Sequence, residues 1–91
     1  MTVRFIQRHT EGGQDHLHIV KLKWIEYETG KPGENTRAQL VTWFRDNGGK
    51  GYVNDSIGNQ ADVRVVDANP PYLQTVADGK LTDNLLDLPT Y

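Results

Sequence analysis

Residues 16–28 read HLHIVKLKWIEYE, the longest run in the chain that is rich in β-branched, aromatic and apolar residues. No glycine or proline interrupts the run, and polar, glycine-containing segments flank it on both sides. Because side chains of a strand alternate between the two faces of a sheet, one face carries His18, Val20, Leu22 and Trp24. Parity places Lys21 and Lys23 on the other face. The even-numbered face is then the core face, because a buried, unpaired lysine is costly. The run therefore predicts a central strand whose core face carries the even-numbered residues.

The lysine face of this predicted strand is mixed rather than polar. Parity places four apolar or aromatic residues beside the two lysines: Leu17, Ile19, Ile25 and Tyr27. A mixed face predicts either partial cover by another part of the chain or an exposed patch.

The composition is that of one small soluble domain spanning residues 1–91. A chain of 91 residues, 36% hydrophobic and 24% charged, can build one core and has no room for a separate catalytic domain. The net charge of −2 argues against binding to duplex DNA. The absence of cysteine excludes disulfides and thiol catalysis, and we expect a cytoplasmic protein. The sequence has no apolar run long enough to predict an export signal or a membrane span.

Segments with the pattern of strands lie on both sides of the central strand. Residues 2–10 alternate, and the polar connector at 11–15 predicts an antiparallel hairpin with the central strand. Residues 29–35, TGKPGEN, have the composition of a loop. Three further strands are predicted downstream, at residues 51–54, 60–67 and, at a sheet edge, 72–76.

One helix is predicted between these strands. Thr36 and Gln39 have the spacing of a capping box, in which each side chain satisfies a free backbone N–H of the first turn. The glycines after Asn47 predict the end of the helix, because glycine accepts the left-handed conformation of a C-cap. The apolar stripe consists of Leu40, Val41 and Phe44, with Trp43 on its flank. We therefore expect an α+β fold, with a mainly antiparallel β-β-α-β-β sheet and one helix packed on one face.

Residues 72–91 are predicted to form an ordered C-terminal segment. Leu85, Leu86 and Leu88 place three leucines within four positions of a chain that is short of apolar residues. A solvated tail would leave them as an aggregation-prone patch. We expect the segment to pack back on the sheet or helix, with Leu85 as a core residue.

The same segment carries a distinctive motif. It runs Tyr72-Leu73-x-Thr75, Ala77-Asp78-Gly79, Asp83-Asn84-Leu85 and Leu88-Pro89. This arrangement resembles the C-terminal signature of a small bacterial family known as domain of unknown function 3892. Other positions are similar too: Trp24, Tyr52-Val53 and Val63-Arg64-Val65. The chain departs from the pattern at Asp83, where asparagine is more usual, and at its Thr90-Tyr91 end. The family has no established activity, so the resemblance implies no catalytic residues.

Three histidines are candidate metal ligands. His16 and His18 lie two apart on one strand face, and His9 is expected near them across the hairpin. Asp15 is the best candidate for a fourth ligand, but no motif places it. The alternative is that His18 packs at the core edge and the others are solvated. We expect no stoichiometric transition metal and no cofactor.

A basic sheet face is the main functional feature that the sequence predicts. If Val3, Phe5 and Val63 face the helix, parity sends Arg4, Arg8, Lys21, Lys23 and Arg64 to the other side. Ile6, Ile25 and Tyr27 join them there, and Tyr27 is the one aromatic candidate for base stacking. Proteins that bind single-stranded nucleic acid use sheets in this way, with cations on the phosphates and aromatic rings stacked on the bases. The alternative is that the cations only keep an open sheet soluble.

Two functions of different classes follow. The first is a non-enzymatic binding or accessory module, monomeric or weakly dimeric, whose partner the sequence does not identify. Within this class, the alternative is that it takes single-stranded nucleic acid or an acidic protein through the basic face. The second is a small metal-dependent or hydrolytic enzyme. No nucleophile–base pair stands out to support the second, so we predict no catalytic residues.

Overall fold

The computed structural model describes residues 2–13, 18–54, 60–77, 80–82 and 85–91. These residues form a small compact domain with a Cα radius of gyration of 12.0 Å. Within the described ranges the chain forms one helix and seven strands: β1 Thr2–Thr10, β2 Ile19–Glu26, β3 Pro32–Thr36, α1 Arg37–Asp46, β4 Lys50–Asn54, β5 Gln60–Val66, β6 Tyr72–Ala77 and β7 Lys80–Thr82. Residues 55–59 (DSIGN) and 78–79 (DG), whose composition predicts turns, lie outside the described residues.

All seven strands belong to one mixed sheet with the order β3-β2-β1-β4-β5-β6-β7. Every neighbouring pair is antiparallel except β1 and β4, which run parallel. The fold is therefore mostly sheet with one helix, as the α+β expectation requires. The predicted β-β-α-β-β order is too short, because three strands precede the helix and four follow it.

The segment predicted as a loop at 29–35 contains β3, an edge strand. Pro32 stands at its first residue, opposite Ile25, where the missing N–H of proline costs no ladder bond. Gly33 lies opposite Trp24, and a β-carbon on this glycine would overlap the indole. Proline and glycine here serve a strand, which is why composition alone gave the wrong element. The strand at 72–76 was also predicted at an edge, but β6 is internal because β7 pairs with its outer side.

The predicted helix caps are confirmed. The Thr36 hydroxyl accepts a bond from the Gln39 backbone N–H at 3.2 Å, and the Thr36 N–H donates to Gln39 Oε1 at 3.0 Å. At the other end, Gly48 has a φ of 63°, the left-handed conformation that ends a helix. Leu40 and Val41 of the helix are buried in the same cluster as Val3 of β1.

The core contains residues from both ends of the chain. Its buried members are Val3, Phe5, Ile19, Leu22, Leu40, Val41, Val53, Val63, Leu73, Leu85 and Leu88. Leu85 is 0% exposed, which confirms the prediction that it is a core residue. Ile19 is 2% exposed, so its predicted place on the lysine face is wrong. The cause is a register shift: His9 pairs with Lys21 and Thr10 with Ile19, which leaves Val20 as an extra residue and reverses the parity.

Candidate binding surface

The side of the sheet opposite the core, called the open face below, is richer in cations than in carboxylates. Strand register places there five cationic side chains from four strands: Arg4, Lys21, Lys23, Lys50 and Arg64. Among the described strand residues, Glu34 and Asp62 are the carboxylates on the same side. The open face is thus positive on a chain whose net charge is −2. Lys21, Lys50 and Arg64 are exposed.

Three tyrosines lie among these cations. Tyr52 on β4 is the register partner of Arg4 on one side and of Asp62 on the other. Tyr72 on β6 lies opposite Val66 on β5. The Tyr91 ring lies under Lys23, whose Nζ is 4.3 Å from the ring centroid. Alternation with buried Val53 could have identified Tyr52, but no periodicity points to Tyr91. Tyr27, the aromatic chosen from the sequence, is 70% exposed in the turn after β2.

Arg8 is the predicted surface residue that the structure places elsewhere. Phe5 pairs with Trp24 and Gln7 with Lys23, so Ile6 is an extra residue and the parity of β1 reverses after it. Arg8 therefore lies opposite Leu22, on the core side, and is 9% exposed. Its Nε donates to the Leu86 carbonyl at 3.0 Å and its Nη1 to Thr10 Oγ1 at 3.3 Å. Arg8 holds the C-terminal segment and is not part of the open face.

The end of the C-terminal segment continues along β1. The Arg8 N–H donates to the Pro89 carbonyl at 2.9 Å, and the Tyr91 N–H donates to the Arg8 carbonyl at 3.1 Å. These bonds make a parallel bridge between Arg8 and Thr90, beside the half of β1 that β4 leaves unpaired. The bridge turns the Tyr91 side chain to the open face. Burial and then the nearby Glu34 carboxylate raise the pKa of the Tyr91 phenol, so a neutral ring lies beneath Lys23.

The histidines do not form a metal cluster in the part of the chain that the structure describes. His9 Nδ1 lies 2.5 Å from the Tyr91 carbonyl oxygen, and His9 Nε2 lies 3.0 Å from Glu11 Oε1. His18 has its ring against Gly12 and Gly13 of the hairpin connector. His16 lies outside the described residues. Across the described ranges, no group of three or more potential ligands is close enough to hold a metal ion.

His9 links the stability of the C-terminal segment to pH. The Tyr91 carbonyl, and after it Glu11, raise the pKa of His9 above its ordinary 6.5, while Lys21 opposes them. Because the folded pKa is raised, the stabilisation is complete below pH 6.5 and is lost as pH rises through the folded pKa. We expect the His9 ring to titrate above 6.5 by NMR, and the Tyr91 amide signal to shift with the same midpoint.

The matched control for this titration is His9→Gln. It should remove the pH dependence of the Tyr91 amide signal while the rest of the spectrum is retained. A His9 midpoint at or below 6.5 would contradict the assignment.

No helix in the described ranges has the length and apolar character needed to cross a bilayer.

Comparison with known proteins assigns the chain to a family. Nothing among the curated proteins or the solved structures matches the chain. The family model described as "Protein of unknown function (DUF3892)" matches residues 2–89. The matched range includes the whole tail motif, from Tyr72 to Pro89, and every residue of the open face except Tyr91. The chain therefore belongs to the DUF3892 family, as the motif in residues 72–91 predicted.

Proposed function

We propose that this protein is a non-enzymatic binding module whose open face takes single-stranded nucleic acid. One observation supports the proposal above the others: the open face of an otherwise acidic chain carries Tyr52 beside Arg4, together with the cations Lys21, Lys23, Lys50 and Arg64. A bacterial, cytoplasmic setting belongs to the same proposal, on the cysteine-free composition and the family resemblance.

The arrangement suits a flexible strand better than a duplex. Neighbouring strands of a sheet are about 4.8 Å apart, so Arg4 on β1 and its register partner Tyr52 on β4 are direct neighbours. Arg64 on β5 is two residues along the strand from Asp62, the register partner of Tyr52, and so lies roughly 8 Å from Tyr52 on the diagonal. Lysine and arginine neutralise phosphates, and a tyrosine face stacks on any base, which gives binding with little sequence preference. A rigid duplex would present its phosphates to a broad sheet that carries Glu34 and Asp62 as well.

Lys21 and Arg64 provide the sharpest test of this function. Both are exposed on the open face, and neither has an ion pair with another described residue. We expect the double variant Lys21→Glu with Arg64→Glu to abolish binding of a mixed-sequence single-stranded oligonucleotide, measured by fluorescence anisotropy at low salt. For the wild type, log Kd should rise linearly with log salt, because bound phosphates release counterions. Lys23 is left intact because it covers Tyr91.

Arg45→Glu is the charge-reversal control matched to each single open-face variant, Lys21→Glu and Arg64→Glu. Arg45 lies near the end of α1, on the other side of the sheet, where it pairs with Asp67 in an exposed salt bridge. A pair of this kind contributes about 0–1 kcal/mol, so the variant should fold and bind as the wild type does. Equal loss of binding in Arg45→Glu and in either single open-face variant would show only a net-charge effect. Absence of binding by the wild type at low salt would refute the proposal, and binding of an acidic protein instead would reassign the surface.

A further inference from the structure

A small cleft opens on the core side of the sheet, between α1 and the edge formed by β2 and β3. Its volume is about 110 Å³. The residues that line it are Val3, Trp24, Asn35, Gln39, Leu40 and Trp43. None of them is charged, and the buried Val3 and Leu40 contribute apolar surface. The cleft therefore favours a neutral ligand with an apolar body.

Two half-buried indoles form part of the wall and are held in place. Trp24 Nε1 donates to Asn35 Oδ1 at 2.9 Å, and the Trp24 ring lies against Gly33. The Trp43 ring lies against Gly49 and packs on Phe44 with ring centroids 5.0 Å apart. A β-carbon at either glycine would overlap the adjacent indole. Rings fixed in this way present flat aromatic surfaces without a further loss of side-chain entropy on binding.

The polar part of the wall has unused donors. The Trp24 N–H fixes Asn35 Oδ1 as an acceptor, and the Thr36 N–H fixes Gln39 Oε1 in the same role. The two amide nitrogens are therefore unambiguous donors. Asn35 Nδ2 uses one hydrogen on Gln39 Oε1 at 3.1 Å. The second hydrogen of Asn35 and both on Gln39 Nε2 have no protein acceptor among the described residues, so the wall can donate to a carbonyl oxygen.

We propose that this cleft binds a small, uncharged, planar heterocycle that carries a ring carbonyl, of the size of a pyrimidine. The cleft, at about 110 Å³, is smaller than the enclosed apolar cavity of about 150 Å³ that holds benzene. Because the cleft is open on one side, a single six-membered ring can enter it with one edge toward solvent. The ring stacks against the indoles, and its carbonyl accepts from the amides of Asn35 and Gln39. The inference does not depend on the open face, which lies on the other side of the sheet.

Uracil is the probe for the experiment, and benzene is the matched ring without a carbonyl. In ¹H–¹⁵N spectra of the full chain, uracil should shift the indole N–H signals of Trp24 and Trp43 and the side-chain amides of Asn35 and Gln39. For a ligand this small we expect a Kd of roughly 1 mM. Benzene should shift the indole signals and leave the amides unmoved. Uracil shifts spread away from the cleft, or amide shifts of equal size with benzene, would overturn the proposal.

Gln39→Glu separates binding from folding. The new carboxylate still accepts from the Thr36 N–H and lies at a helix N-terminus, so the melting temperature should be unchanged or higher. The variant lacks the Nε2 donors, and uracil should bind roughly tenfold more weakly, while benzene binds as before. Uracil affinity unchanged in this variant would refute the role of Gln39. An oligouridylate that shifts the same indole signals would identify a nucleobase within a strand as the source of the ring, and shifts with free uracil alone would identify a free heterocycle.

Discussion

Leu85→Ala is expected to lower the free energy of unfolding by about 2–5 kcal/mol, a large share of the stability of a domain of this size. Leu85 is 0% exposed and lies in the core cluster with Leu22, so its removal leaves a cavity that rigid strands cannot close. Urea denaturation followed by tryptophan fluorescence measures the change. Truncation after Gly79 removes Leu85 together with Leu88 and should leave a poorly folded protein.

Leu86→Ala is the control for this experiment. Leu86 is half-buried against the same cluster, so the same chemical change should cost clearly less. Equal losses at Leu85 and Leu86 would show that the burial of Leu85 does not determine the cost of its truncation. An unchanged melting temperature after truncation of the chain would show that the segment does not contribute to the core. The segment would then be a recognition element, and its deletion would remove a binding activity instead.

Gly51→Ala is expected to destabilise the protein by about 1–3 kcal/mol through overpacking. A β-carbon on Gly51 would overlap the ring of Phe5, which is 1% exposed, and would lie 3.1 Å from the ring of Phe44. Gly51 is buried in β4 and has no positive φ, so its backbone would accept alanine without strain. The cost is therefore steric, and thermal or urea denaturation should detect it.

A double-mutant cycle with Phe5→Leu isolates this contact. Phe5→Leu alone should destabilise the core, but in its background Gly51→Ala should cost less, because the shorter side chain leaves room for the added methyl. Additive losses would show that the overlap with Phe5 is not the source of the effect. A neutral Gly51→Ala would show that the sheet and α1 can separate freely at this point.

Period-two alternation predicted the faces correctly wherever the ladder is regular. Val3, Phe5, Leu22 and Val63 are buried as parity requires. Each error follows an extra residue: Arg8 comes after Ile6, and Ile19 is separated from Lys21 by the irregularity at Val20. A bulge depends on the pairing of two strands, and no property of either strand alone reveals it. The prediction of a loop at β3 failed for the same reason. Pro32 and Gly33 have the composition of a loop, and only their pairing with Ile25 and Trp24 of β2 makes them part of a strand.

The residues of the two candidate sites also differ in whether a local sequence pattern can identify them. Arg4, Lys21, Lys23 and Arg64 were found from alternation, which is a local property. Tyr91 reaches the open face through its bond to Arg8, and the cleft joins residues from β1, β2, β3 and α1. Contacts between such distant parts of the chain depend on tertiary packing, which propensity and periodicity do not encode.

The bridge between Arg8 and the C-terminal segment also constrains how the chain reaches its native state. The bonds from His9 to Tyr91 and from Arg8 to Leu86 join residues 82 and 78 positions apart. Closing a loop of this length costs entropy before any contact compensates for it, and such contacts slow folding. During synthesis, the half of β1 beyond Arg4 lacks its neighbour on one side until about 80 further residues have been made. The nascent chain thus carries an unpaired strand edge through most of its translation, and in that interval a chaperone or another strand can pair with it.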